Sequence, residues 1–377
     1  MEISSDGSNY SNNSSQKNST KEIKTFSKEE LIKQLKNSIK DFLFEHNIYE
    51  SIPENAKVLL FTDKLTVKDA IKTMILQNIY SSIIIKNDNK KILNVFSLSD
   101  ILNLIYSGYL NINNFISFQG INNYEALLNN LSTFFDFFKL NINTKAFNKT
   151  YQLNNLKEFF DLFEYISLKD YLVNYNQVIY EYSTLDIEYN ILDIVKNKNN
   201  INKVIEDKKN KIIAGIITYN IIFDFLLNNY YILIDGFKLD FSELYKFNKY
   251  EYVLNKNDSI IKSIKIFVKT KTNLIIVLDD NKNIFGYLFN KDILYLYSQG
   301  SRYSIEDTLE KFFIDFYNDI GFEIPYGNFR IKEISLNVTI KEAFENIRNS
   351  PEKILVIKNE KEVGIINLEY IFDLILE

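Results

Sequence analysis

Few residue types in this 377-residue chain can make or break bonds. Zero cysteines exclude thiolate nucleophiles, thiolate zinc sites, iron–sulfur clusters and a disulfide frame. The single histidine, His46, stands apart from any nucleophile or carboxylate pair, so a structural contact is expected for it and a His-rich metal site is excluded. Ser97 and Ser99 have no partner base and support no hydrolase triad. Asp279-Asp280 resembles a metal-binding pair, but it lies in Asp279-Asp280-Asn281-Lys282, a solvated turn. Glycine is scarce, and neither a phosphate-binding loop nor a dinucleotide fingerprint is present. Protein-kinase catalytic motifs are also absent. What remains is recognition chemistry. Asp100 and Asp292 each open a predicted helix, where a carboxylate can cap the helix or face a ligand.

The elements that must hold these residues recur four times. An apolar strand leads into an amphipathic helix; two short apolar strands follow, joined by a charged turn, and a second helix closes the unit. The first copy runs Lys57 to Phe61, Thr66 to Asn78, Ser82 to Ile85 and Lys91 to Phe96, then Ser97-Leu98-Ser99-Asp100-Ile101-Leu102. A unit of this size cannot cover its own apolar face, so copies must stack and leave clefts between them. A chain that is 46% hydrophobic and 15% aromatic has ample material for those cores. Net charge of −5 gives no electrostatic case for nucleic acid or anionic membrane. No apolar run approaches the roughly 18 residues of a membrane span. The first residues lack the profile of a secretory signal, so a cytoplasmic or nuclear protein is expected.

Along the chain, residues 1–26 are too polar to order themselves. A leader follows over 27–53: Ser27 and Glu30 form a capping box, and Leu31, Leu35, Ile39, Phe42 and Leu43 line one helical face. Repeat one is expected over 54–108 and a helical connector over 109–174, with apolar stripes Leu127 to Phe138 and Leu156 to Phe163. Repeat two is expected over 175–230, beginning with a strand at Val178-Ile179-Tyr180. Repeats three and four follow over 248–320 and 325–377.

These residues resemble a known family. The leader Phe42-Leu43-Phe44-Glu45-His46-Asn47-Ile48-Tyr49-Glu50-Ser51-Ile52-Pro53 is similar to the phrase that precedes the first cystathionine-β-synthase-type (CBS) repeat in the gamma regulatory subunits of AMP-activated and yeast SNF1-type protein kinases. Phe267-Val268 through Lys291-Asp292-Ile293 resembles the third repeat of that family. The resemblance covers about 42–377 apart from the connector. It implies a mixed α/β fold of four CBS domains, paired one with two and three with four, in a pseudo-fourfold disc. It implies adenine nucleotides (AMP, ADP or ATP) bound between repeats, no catalysis and no cofactor. A catalytic alpha-type kinase subunit and a beta-type scaffold subunit are the implied partners.

On that resemblance, Asp100 and Asp292 occupy the position of the ribose acid, and Lys271 and Lys353 are the surviving phosphate cations. The same ribose position holds Ile221 in repeat two and Tyr370 in repeat four, neither of which can hold a diol. The phosphate position holds Tyr80 in repeat one, Asn200 and Ile201 in repeat two, and Glu352 beside Lys353 in repeat four. Lysines bind phosphate without the bidentate fork of arginine. The alternative reading is a scaffold subunit that keeps the disc and its docking faces without nucleotide.

Overall fold

The computed structural model describes residues 26–119, 162–175, 183–229, 235–247, 250–294, 304–318, 326–359 and 362–377. The tail over 1–25, the connector stripes from Leu127 to Phe160 and the expected strand Val178-Ile179-Tyr180 lie outside the described residues.

Among the described residues, four three-stranded sheets repeat one topology. In unit one, β1 (Leu59–Thr62) runs parallel to β2 (Ser81–Ile85), which pairs antiparallel with β3 (Ile92–Ser97). Unit two repeats this with β4 (Leu185–Asp186), β5 (Val204–Asp207) and β6 (Ile212–Ile216). Units three and four do so with β7 (Val253–Asn255), β8 (Leu274–Leu278) and β9 (Ile284–Phe289), and with β10 (Lys332–Ile334), β11 (Ile354–Asn359) and β12 (Glu362–Asn367). A crossover helix joins the parallel strands of each unit: Val67–Gln77, Ile191–Lys196, Ile260–Thr270 and Ile340–Asn349. The middle strands are apolar because both of their faces are covered; Ile83 to Ile85 and Leu274 to Val277 are all buried. Leu185–Asp186 pairs with β5, and two residues are too short for an alternating pattern to register.

The segment ahead of each unit packs on that unit's partner. The N-cap residue of each crossover helix bridges to a distant leader: Thr66 to Ser167, Asn190 to Asn47, Ser259 to Thr308 and Thr339 to Asp240. Thus the leader of unit one seals unit two, and that of unit two seals unit one; units three and four exchange leaders in the same way. Backbone hydrogen bonds fix the exchange, among them Ile48 N–H to the Tyr189 carbonyl at 2.9 Å and Val67 N–H to the Ile166 carbonyl at 2.8 Å. The leader helix Lys28–Glu45 has the expected capping box at Ser27 and Glu30, and it buries Leu35, Ile39, Phe42 and Leu43.

Four apolar clusters close the units into a ring. Ile83, Ile85 and Ile92 of sheet one meet Val204 of sheet two, and Ile276, Tyr287 and Phe289 of sheet three meet Ile354 and Val356 of sheet four. Helices join the two pairs. Units one and three share one core, with Ile71 and Ile105 in the same cluster as Ile264 and Phe267. Units two and four share another, containing Phe223, Phe344 and Phe372, and the leader helix packs into it. The order around the ring is one, two, four, three. Each fully buried Ile or Phe in these seams contributes about 1.5–3 kcal/mol.

Candidate ligand-binding site

Two equivalent clefts lie between units three and four. Each combines the start of one unit's last helix with the residues that precede the partner's second strand. Local sequence explains both components. Asp292 lies three residues after Phe289, where its carboxylate accepts the Phe289 N–H and caps the helix. Lys271 ends the helix Ile260–Thr270 in the left-handed region at φ 57°, and Lys353 adopts φ 54° just before β11. At its helix end, Lys271 also complements the C-terminal dipole.

The first cleft brings Asp292 of unit three to Glu352 of unit four, with an arginine between them. Arg330 Nη1 donates to Asp292 Oδ1 at 2.6 Å, and Arg330 Nε donates to Glu352 Oε1 at 2.7 Å. Its guanidinium lies 4.0 Å over the centre of the Phe289 ring. Lys291 reaches the same Glu352 oxygen at 2.7 Å and stands 5.7 Å from the ring centre of Tyr80, in unit one. Asp292 is 4% exposed and Arg330 8%. Sequence reasoning expected an exposed cleft acid at Asp292; the carboxylate is instead buried because Arg330 covers it. Burial raises the pKa of Asp292, opposed by Arg330 and by the Phe289 N–H. Burial also works against the charge on Arg330, but Asp292 and then Glu352 outweigh it and hold the pKa above the usual arginine value. Arg330 and the Phe289 N–H thus offset only part of the desolvation of the Asp292 carboxyl.

The second cleft has a volume of about 230 Å³ and is lined by Thr270, Lys271 and Thr272 of unit three and Asn367, Glu369 and Tyr370 of unit four. Tyr245 and Tyr250 add to its wall, and Tyr245 meets Tyr370 edge-on at 5.7 Å. The Tyr250 hydroxyl bonds Thr272 Oγ1 at 2.8 Å, and burial raises its pKa. Lys271 is exposed and, among the described residues, has no ion-pair partner. Glu369 is paired with Lys198 of unit two at 3.0 Å. Among the described residues, the cleft offers aromatic faces, hydroxyl groups and one available cation, a set suited to a flat ring bearing an anionic substituent.

The other expected residues lie elsewhere. Asp100 caps its own helix through the Ser97 N–H and hydroxyl, each at 2.7 Å, and accepts the Tyr171 hydroxyl at 2.6 Å. Lys353 Nζ donates to the Arg348 carbonyl and stands 3.9 Å from Asp224 of unit two. Asp100, Asp292, Lys271 and Lys353 share no bonding partner. His46 packs between Phe42 and Phe225, with ring centres 4.4 and 5.3 Å away, and its Nδ1 lies 2.6 Å from Glu50 Oε2. Arg330 is the residue that sequence reasoning missed. It is one of three arginines among 44 basic residues, and that rarity in a lysine-rich chain was its available signal.

Among the described residues, no group of three His, Cys, Asp or Glu could hold a metal ion, and no helix is long and apolar enough to cross a membrane. Residues 52–107 match the family model described as the CBS domain. A CBS domain is therefore present in unit one, and the mixed α/β architecture is that of several CBS-type modules. Among solved structures, the chain is similar to a Methanocaldococcus jannaschii protein proposed as an archaeal homologue of g-AMPK. The two are 12% identical with a TM-score of 0.56, over 87% of this chain and 99% of that one. A CBS-domain protein from Agrobacterium tumefaciens matches 38% of this chain and 98% of its own at 12% identity and TM-score 0.29. A conserved protein from Pyrococcus horikoshii matches 36% and 92% at 13% identity and TM-score 0.28. No curated protein matches the chain.

Proposed function

We propose that this chain is a non-catalytic regulatory subunit of the gamma type, in a heterotrimeric AMP-activated or SNF1-type protein kinase, and that it responds to adenine nucleotides held between its repeats. The observation that carries this reading is the ring of four CBS-type units, which keeps a cleft where Lys271 faces the aromatic wall of Tyr370 and Tyr245. The leader around His46 and the g-AMPK-like neighbour over 87% of the chain support the same reading. In this proposal the base enters the second cleft against the tyrosines and the phosphates meet Lys271. Asp292 and Asp100 are the ribose acids of their own clefts, and Lys353 is a secondary phosphate contact. Occupancy acts through differential affinity for two arrangements of the ring.

Calorimetric titration of the full chain with AMP, ADP and ATP tests the sensing role. Binding at or below millimolar concentration is expected, weakened about fivefold by Lys271→Ala, as for the loss of a partly exposed charge contact. Absence of binding by all three nucleotides would remove the sensing role. Co-purification with a catalytic kinase subunit and a beta-type subunit tests the partnership.

Specific contacts favour a second reading, a scaffold without nucleotide: both ribose acids already have intramolecular partners, and Lys353 is engaged at the seam between units two and four. A nucleotide that binds the folded state raises the melting temperature by mass action, so a flat thermal-shift response would favour the scaffold.

A further inference from the structure

Arg330 holds its place in the first cleft by contacts of the kind a bound molecule would make. Its guanidinium carbon stands 4.0 Å over the Phe289 ring centre, and the group engages one carboxylate from each of two units, Asp292 and Glu352. It is carried on the short turn Asn328–Arg330, which follows Gly327 at φ +80°. That φ calls for glycine, and a Cβ there would stand 2.9 Å from the Tyr287 carbonyl oxygen and from the Tyr317 hydroxyl. A further polar group stands beside the pair. The fully buried Tyr317 hydroxyl lies beside Arg330, and after burial itself the charge that most raises its pKa is Asp292. A site with two acids, an aromatic floor and a buried hydroxyl beside them has the makings of a recognition site as well as of an ion pair.

We propose that Arg330 is a built-in occupant of this cleft, a latch whose guanidinium holds the Asp292 site shut against an external ligand until the Gly327 turn swings it out. The ligand side of this inference rests on the nucleotide reading above. The occupant side rests on the geometry alone. The latch makes the first cleft a conditional site and the Lys271 cleft the permanently accessible one. While Arg330 is seated, apparent affinity at Asp292 is reduced by the fraction of molecules in which the latch is open.

The test uses the full chain as wild type, Arg330→Ala, Arg330→Lys and the double variant Arg330→Ala/Asp292→Asn. AMP binding is read by calorimetry, and melting temperature is read with methylguanidinium or methylammonium at millimolar concentration. In Arg330→Ala, methylguanidinium is expected to raise the melting temperature, with methylammonium much less effective because it lacks the planar fork. The same variant is expected to bind AMP at one more site than wild type, or at least about tenfold more tightly. The double variant is expected to lose both effects. A folded Arg330→Ala that ignores methylguanidinium and binds AMP as wild type does would overturn the proposal. If Arg330→Ala does not fold, Arg330→Lys decides, since it keeps the charge and loses the fork: an extra AMP site supports the latch, and wild-type stoichiometry overturns it. If no form binds AMP while methylguanidinium still rescues Arg330→Ala through Asp292, the nucleotide reading fails and the internal occupant stands.

Discussion

A carboxylate at the start of a helix can serve the helix, a ligand or a neighbouring side chain, and its partners determine which. Asp100 serves its own N-terminus through Ser97 and holds the Tyr171 hydroxyl at 2.6 Å. Tyr171→Phe is therefore expected to lower stability by about 1.5–3 kcal/mol, the range for a hydrogen bond to a charged group, measured by urea denaturation. Asp292 serves its helix and a buried arginine. An acid that only faced a ligand would be replaceable, so that Asp292→Ala would spare folding. The structure reverses that expectation, because removing one member of a buried pair leaves Arg330 with an uncompensated share of charge. A loss of about 3–5 kcal/mol is expected, and unchanged stability would mean that the ion pair contributes nothing.

Helix caps and strands were the most legible elements, since both are set by nearby residues. Ser27 and Glu30 close their capping box as the spacing foretold, and Thr339 and Glu342 form another. Thr339→Ala is expected to cost about 1 kcal/mol, read as a lowered melting temperature. The exchange of leaders was not legible. Apolar periodicity says that a helix has a buried face, but not which of four similar units covers it. The leader helix illustrates this: Gly236, from the segment that seals unit four, packs so closely on it that an added Cβ would lie 2.8 Å from Leu35 Cβ and 3.0 Å from the Leu31 carbonyl oxygen. Gly236→Ala should cost about 1–3 kcal/mol by overpacking, and a neutral result would show that the helix can move aside.

At the scale of the whole molecule, the seams between units set the alkaline limit. Burial, followed by the nearby Glu369, raises the Tyr219 phenol to about 12 from the ordinary 10.0. Its hydrogen bond to Asp373 is the main cause that raises the pKa of Lys198, which joins units two and four. Both folded-state values lie above the unfolded ones, so the folded chain keeps protons that the unfolded chain releases. This stabilisation is complete below pH 10 and is lost as pH rises toward 12. Melting temperature followed across that window should fall steadily, with phenolate absorbance appearing in step with unfolding; full tyrosine ionisation in a still-folded chain would contradict it.

The sequence by itself determined the repeated phrase, the caps and the apolar middle strands, because each depends on residue type within a few positions. Only the tertiary structure decided which leader seals which unit, and that Arg330 lies between Asp292 and Glu352. Asp292 and Arg330 are 38 positions apart, and the partner of a buried charge is fixed by which segments meet in space, which no local pattern records.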